Sequence, residues 1–162
     1  MLLKDGGHGV TEESLKFWHA NKSKLGLILG LEATFEPLGV DQDDSGVLEY
    51  NCRIYGYNGE ILLSGCNCGY GGTGPNGTAK ILAELGVPIE SARTACWHKE
   101  VKWDVLANKL TADGEELTFP LAKQRRKEWA EFIDRHNIPQ CRAEGLCKTC
   151  TTTNECPDFE GK

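Results

Sequence analysis

At Val47 the hydrophobic period of the chain becomes two. Leu48, Tyr50, Cys52 and Ile54 fall on one side, and Glu49, Asn51 and Arg53 on the other, as in a strand with one buried face. Asn58-Gly59 then supplies a turn pair, and Ile61, Leu62 and Leu63 resume the apolar run. Two such runs about such a pair predict a β-hairpin. A lone hairpin is barely stable in water, so this one needs further strands and a covering layer. Cys52, on the apolar side, is expected as a small buried hydrophobe.

The flanking patterns supply that layer. Thr11 can cap a helix whose first turn holds Glu12 and Glu13, with Leu15, Trp18 and Lys22 at helical spacing. Leu25–Gly39 is apolar but broken by glycines, which favours an extended segment stopping near Pro37. Residues 40–46, VDQDDSG, read as an acidic loop; Asp41, Asp43 and Asp44 lack the remaining ligands of a calcium loop. Pro75 suits the first position of a helix carrying Ala79, Ile81, Leu82 and Leu85, stopped by Gly86 and Pro88. A second helical stretch follows at Glu90–Thr94. Val101, Trp103 and Val105 alternate as a strand would, although a helix from Asp104 fits as well, and Thr111–Gly114 reads as a turn. Leu121, Trp129, Phe132, Ile133 and His136 mark an amphipathic helix ended before Pro139. The expectation is an α+β fold: a small antiparallel sheet built on a central hairpin, with about three helices, over residues 1–138.

Residues 139–162 are different. Cys141, Cys147, Cys150 and Cys156 are spaced C-x5-C-x2-C-x5-C among few large apolar residues. The Cys147/Cys150 pair can reach one metal from a tight turn, and four thiolates satisfy tetrahedral zinc. Metal binding would supply folding energy that burial cannot. The expectation is a metal-stapled tail with structural zinc. An iron–sulfur cluster is the alternative metal reading, and a disordered or disulfide-bonded tail the plain one.

Between the hairpin and the Pro75 helix runs GCNCGYGGTGPNGTAKILAELG, with seven glycines from Gly65 to Gly86 inclusive. Strand, glycine loop, helix is an arrangement in which backbone N–H groups cradle a phosphate or carboxylate. The predicted ligand set is Gly69, Tyr70, Gly71, Gly72, Thr73, Gly74, Asn76, Thr78 and Lys80, with Arg53 as a further cation. Tyr50, Tyr55, Tyr57 and Tyr70 cluster nearby and can stack a base or pack across strands. GYGGTG (residues 69–74) matches the dinucleotide fingerprint by letter only, because a hairpin precedes it. No Gly-Lys-Ser/Thr closes a phosphate loop. The alternative is a surface loop or a close backbone approach.

Three functions follow as expectations. The first is a non-enzymatic cytoplasmic binding protein holding a nucleotide or other anion at the glycine loop. The second is an acidic inhibitor or adaptor that mimics phosphate charge with Asp41, Asp43 and Asp44 and meets a basic partner. The third is an enzyme using Cys66 or Cys68 with His98 or His19 as base; two plain turn thiols are the simpler reading. A net charge of −6 and a pI near 5.3 argue against general nucleic-acid binding, and Lys123–Lys127 reads as a solvated helix face. No membrane span or signal-peptide core is present in the sequence. This points to a cytoplasm, where eight cysteines are thiols or metal ligands.

Overall fold

The computed structural model of the chain describes residues 1–119 together with Glu131. The amphipathic segment at 121–138, the cysteine tail and the boundary between them lie outside the described residues.

The chain is mixed α+β, with a seven-stranded sheet, a two-stranded sheet and three α-helices among the described residues. In order these are β1 (Leu2–Lys4), α1 (Thr11–Asn21), a 3-10 turn (Lys22–Leu25), β2 (Ile28–Thr34), β3 (Gly39–Asp43), β4 (Gly46–Tyr50), β5 (Cys52–Gly56), β6 (Gly59–Leu63), α2 (Thr73–Glu84), α3 (Ile89–Ala95), β7 (Glu100–Asp104), β8 (Lys109–Ala112) and β9 (Glu115–Leu117). The large sheet runs β1-β6-β5-β2-β7-β8-β9; β3 and β4 form the small one.

The predicted hairpin is β5–β6, with Cys52 opposite Leu63 and Ile54 opposite Ile61. Its loop sits one residue earlier than expected. Gly56 faces Gly59, leaving Tyr57 and Asn58 at the tip, where their N–H groups bond Leu27 O and Leu25 O at 2.8 and 3.0 Å. Those tertiary bonds outrank the local turn preference of Asn-Gly. The sheet is larger than the small antiparallel one expected, its central strand is β2, and its β1–β6 edge pair is parallel.

Register explains the two faces. Leu63 and Cys52, Ala33, Val101 and Ala112 lie in one row across five strands; Ile61, Ile54, Leu31, Trp103 and Leu110 lie in the next. All ten are buried, joined in one core by Trp18 of α1, Ala79, Ile81 and Leu82 of α2, and Ala92 and Ala95 of α3. The helices therefore cover one face, as the period-two pattern requires. The opposite face carries Arg53, Glu32 and Lys102 in adjacent register, with Arg53 to Glu32 at 2.6 Å and Lys102 to Glu32 at 3.7 Å.

Other expectations shift. The run at 40–46 is not a loop: Gly39–Asp43 is β3, and the chain turns only at Asp44-Ser45, where Asp43 accepts the Ser45 N–H at 2.7 Å. Thr11 is the first residue of α1 rather than its cap, which is Val10. Pro75 stands third in α2, whose cap is Gly72. The Val101/Trp103 alternation is the strand β7, but Val105 falls beyond it, where its N–H bonds Leu29 O at 3.0 Å. Thr111 and Ala112 belong to β8, leaving the turn to Asp113-Gly114.

Two polar ties hold the layers in register. Glu84 of α2 accepts from Trp18 Nε1 at 3.0 Å, and pairs with His19 Nε2 at 2.6 Å and Lys22 Nζ at 3.4 Å, clamping α1 to α2. Asp5 is 2 % exposed, yet its carboxylate accepts the Ser64 N–H at 3.0 Å and the Ser14 hydroxyl. Buried charge is tolerated where hydrogen bonds replace water.

Candidate functional site

The glycine run is a packed surface. A side chain at Gly65 would collide with the Val10 backbone, at Gly74 with Asn67 Oδ1, and at Gly77 with the Thr11 methyl and Cys66 Sγ. Three further glycines each lie under an aromatic ring. The Cβ position of Gly69 is 2.9 Å from the Phe35 ring, that of Gly71 is 2.6 Å from Trp97, and that of Gly72 is 2.6 Å from Tyr70. The close-approach reading of these glycines therefore holds, and the rings they seat are exposed: Phe35 45 %, Tyr70 41 % and Trp97 66 %.

Backbone bonds fix this arrangement. Gly69 N–H bonds Cys96 O at 2.9 Å, tying the loop to the end of α3, and Phe35 N–H bonds Lys99 O at 2.8 Å. Phe35 and Tyr70 meet edge to face at 6.4 Å. Lys99 Nζ lies 6.0 Å above the Phe35 ring.

Between Tyr70 and Trp97 opens a cleft of about 140 Å³ lined by Gly71, Gly72, Pro75, Asn76, Arg93 and Cys96. A cavity of about 150 Å³ holds one benzene-sized molecule, so this cleft takes a single ring or an anionic group, and a mononucleotide would extend onto the exposed rings. Its electrostatics lean positive. The cap of α2 is Gly72, with no side-chain hydrogen bond and no acid in the first turn, leaving the partial positive charge of that helix end unopposed. Arg93 adds a full charge; its ion pair with Glu90 at 3.1 Å leaves it 57 % exposed.

Of the predicted ligand set, Tyr70, Gly71, Gly72 and Asn76 line this cleft. Gly69 seats Phe35 instead. Thr73 and Gly74 begin the helix beside it. Thr78 is buried, its hydroxyl donating to Asn67 O at 2.7 Å, and Lys80 stands on the exposed side of α2. Arg53 is on the far face of the sheet, engaged by Glu32. Arg93, Trp97, Pro75 and Cys96 were missed. A tryptophan set in the polar run Trp97-His98-Lys99-Glu100 was the available signal.

The other candidates also find places. Cys52, Cys66, Cys68 and Cys96 are all buried and unpaired. Burial pushes the thiols of Cys66, Cys68 and Cys96 up to about 12 and raises Cys52 as well, the reverse of what a nucleophile needs. His98 pairs with Asp113 at 3.1 Å and His19 with Glu84. Asp41 is neutralised by Lys4 at 2.7 Å and takes the Tyr50 hydroxyl at 3.1 Å; Asp43 is engaged with Ser45. Of the proposed acidic trio, two are thus committed within the fold. Among the described residues no three histidine, cysteine or acidic side chains converge as a metal site, and no helix is long and apolar enough to cross a membrane. No family model, curated protein or solved structure matches the chain.

Proposed function

We propose that this is a non-enzymatic binding protein whose ligand is a small anion carrying a planar group. The anionic end enters the cleft at the start of α2, beside Arg93, and the planar part lies on Trp97 and Tyr70. The observation carrying this reading is the joining of an uncapped helix start, one arginine and two exposed rings around one cleft. Burial, with raised thiol pKa values, makes Cys66 and Cys68 poor nucleophiles, which supports the binding reading over the cysteine-enzyme one. A cytoplasmic setting and a zinc-stapled tail at Cys141, Cys147, Cys150 and Cys156 complete the proposal; both rest on the sequence.

Trp18 and Trp103 are buried at 1 % and 0 % exposure and Trp129 lies outside the described residues, so the part of ligand-dependent tryptophan quenching that a Trp97→Phe variant loses reports on Trp97. Titration with AMP, benzoate and inorganic phosphate should quench emission with AMP and benzoate and compete with phosphate. Arg93→Ala should weaken binding about tenfold, the worth of one charge-assisted hydrogen bond. Lys80→Ala should leave it unchanged. Equal affinities for the Arg93→Ala variant and the wild type, or no quenching by any of the probes, would remove the proposal.

A further inference from the structure

A second cleft, of about 350 Å³, opens between His8-Gly9, β4 and the start of the glycine run at Ser64 and Asn67. Its lining includes two polar side chains that are more than nine-tenths buried, Asn51 at 7 % and Ser64 at 5 % exposure. Each uses a single hydrogen-bonding position internally. Asn51 Nδ2 donates to Phe35 O at 3.0 Å, and Ser64 Oγ accepts the Gly9 N–H at 3.1 Å. The Ser64 proton, the second Asn51 N–H and Asn51 Oδ1 have no partner among the described residues, leaving both donors and an acceptor.

His8 and Glu49 add to the same lining, and neither side chain makes a hydrogen bond or ion pair among the described residues. His8 has a φ of +46°, the left-handed region that glycine adopts most cheaply. A loop of glycines on both sides thus keeps an imidazole where a glycine would cost less, a pattern that points to use of the side chain.

Elimination narrows the ligand. No lysine or arginine lines the cleft, and Glu49 does, so an anion is disfavoured. No three-ligand metal cluster exists among the described residues. No phenylalanine, tyrosine or tryptophan lines it, so the one ring a base could stack on is the imidazole of His8. What remains complementary is a group that donates and accepts at neighbouring atoms, and each hydroxyl does both. The volume lies at the lower end of small-molecule sites, which start near 300 Å³. We infer that this cleft binds a neutral, hydroxyl-rich ring of monosaccharide class, separately from the Trp97 cleft.

The test is amide chemical-shift mapping on the full chain with glucose, galactose and ribose, and with glucuronate as the anionic counterpart. At least one neutral sugar should shift the amides of His8, Gly9, Glu49 and Ser64, and glucuronate should bind about tenfold more weakly than glucose or galactose. His8→Gly relaxes its backbone and Glu49→Gln changes an exposed group, so both variants should fold, and each should weaken sugar binding about fivefold. The inference fails if no neutral sugar perturbs these amides up to about 50 mM, well beyond weak millimolar binding. It also fails if glucuronate binds as tightly as glucose, or if both variants bind like the wild type.

Discussion

At Gly69 two demands meet. Its φ is +99°, and Phe35 carbons lie 2.9 and 3.1 Å from where a Cβ would stand. Gly71 faces only the outer edge of the exposed Trp97 ring, at 2.6 Å. The two positions should separate under mutation. Gly69→Ala should destabilise the fold by about 1–2 kcal/mol, the usual cost of left-handed backbone in a residue with a Cβ, seen as a lower denaturant midpoint. Gly71→Ala should leave that midpoint almost unchanged, because Trp97 can swing outward, but should weaken AMP quenching by tilting one wall of the cleft. Equal loss of stability in both variants would mean that the ring, and not the backbone, sets the cost. The glycines were legible in the sequence as a site of special backbone, but their spacing does not say what approaches them. Phe35, Tyr70 and Trp97 arrive from just after β2, the loop itself and just after α3, a meeting that only the tertiary structure makes.

α1, β2, α2, α3 and the β5–β6 pairing emerged as expected, but the period-two run from Val47 to Ile54 is not one strand: it breaks at the buried Asn51 into β4 of the small sheet and β5 of the large one. The elements that escaped were short and polar. β3 is acidic because its side chains are exposed or ion-paired, and β8 and β9 have four and three residues, too few for a period to show. The α1–α2 clamp was equally hidden, since it joins Trp18, His19 and Lys22 to Glu84 across the hairpin. It makes a prediction with a definite sign. Burial pushes the Glu84 carboxyl up, but hydrogen bonds from His19 and Trp18 and the nearby positive charge outweigh it, so its folded pKa lies below 4.5. The unfolded chain therefore takes up the proton first, and the stabilisation is complete above about pH 4.5 and fades as pH falls through the lower folded value. Glu84→Gln should lower Tm by roughly 2–4 °C at pH 7, with the gap to wild type closing in acid. A gap that persists at pH 3 would assign the effect to packing instead of charge.

Across the whole molecule, the eight cysteines divide into two populations. Four are sealed in the core between the helices and the sheet, where burial holds their thiols protonated. The other four have the spacing of metal ligands, and metal binding requires them as thiolates. One alkylation experiment distinguishes the populations. On native protein, Cys52, Cys66, Cys68 and Cys96 should resist iodoacetamide whether or not a chelator is present. If the tail holds zinc, Cys141, Cys147, Cys150 and Cys156 should resist it until chelator removes the metal, then react together, with one zinc released per chain by elemental analysis. Reaction of the tail before chelation, or no zinc in the sample, would remove the staple. Labelling of the core four in the native state would mean that the helix layer opens far more readily than its burial implies. Because no three described residues form a metal cluster and the tail carries the proposed staple, chelation should leave AMP quenching unchanged. A binding loss on chelation would show instead that the tail and the Trp97 cleft act as one unit.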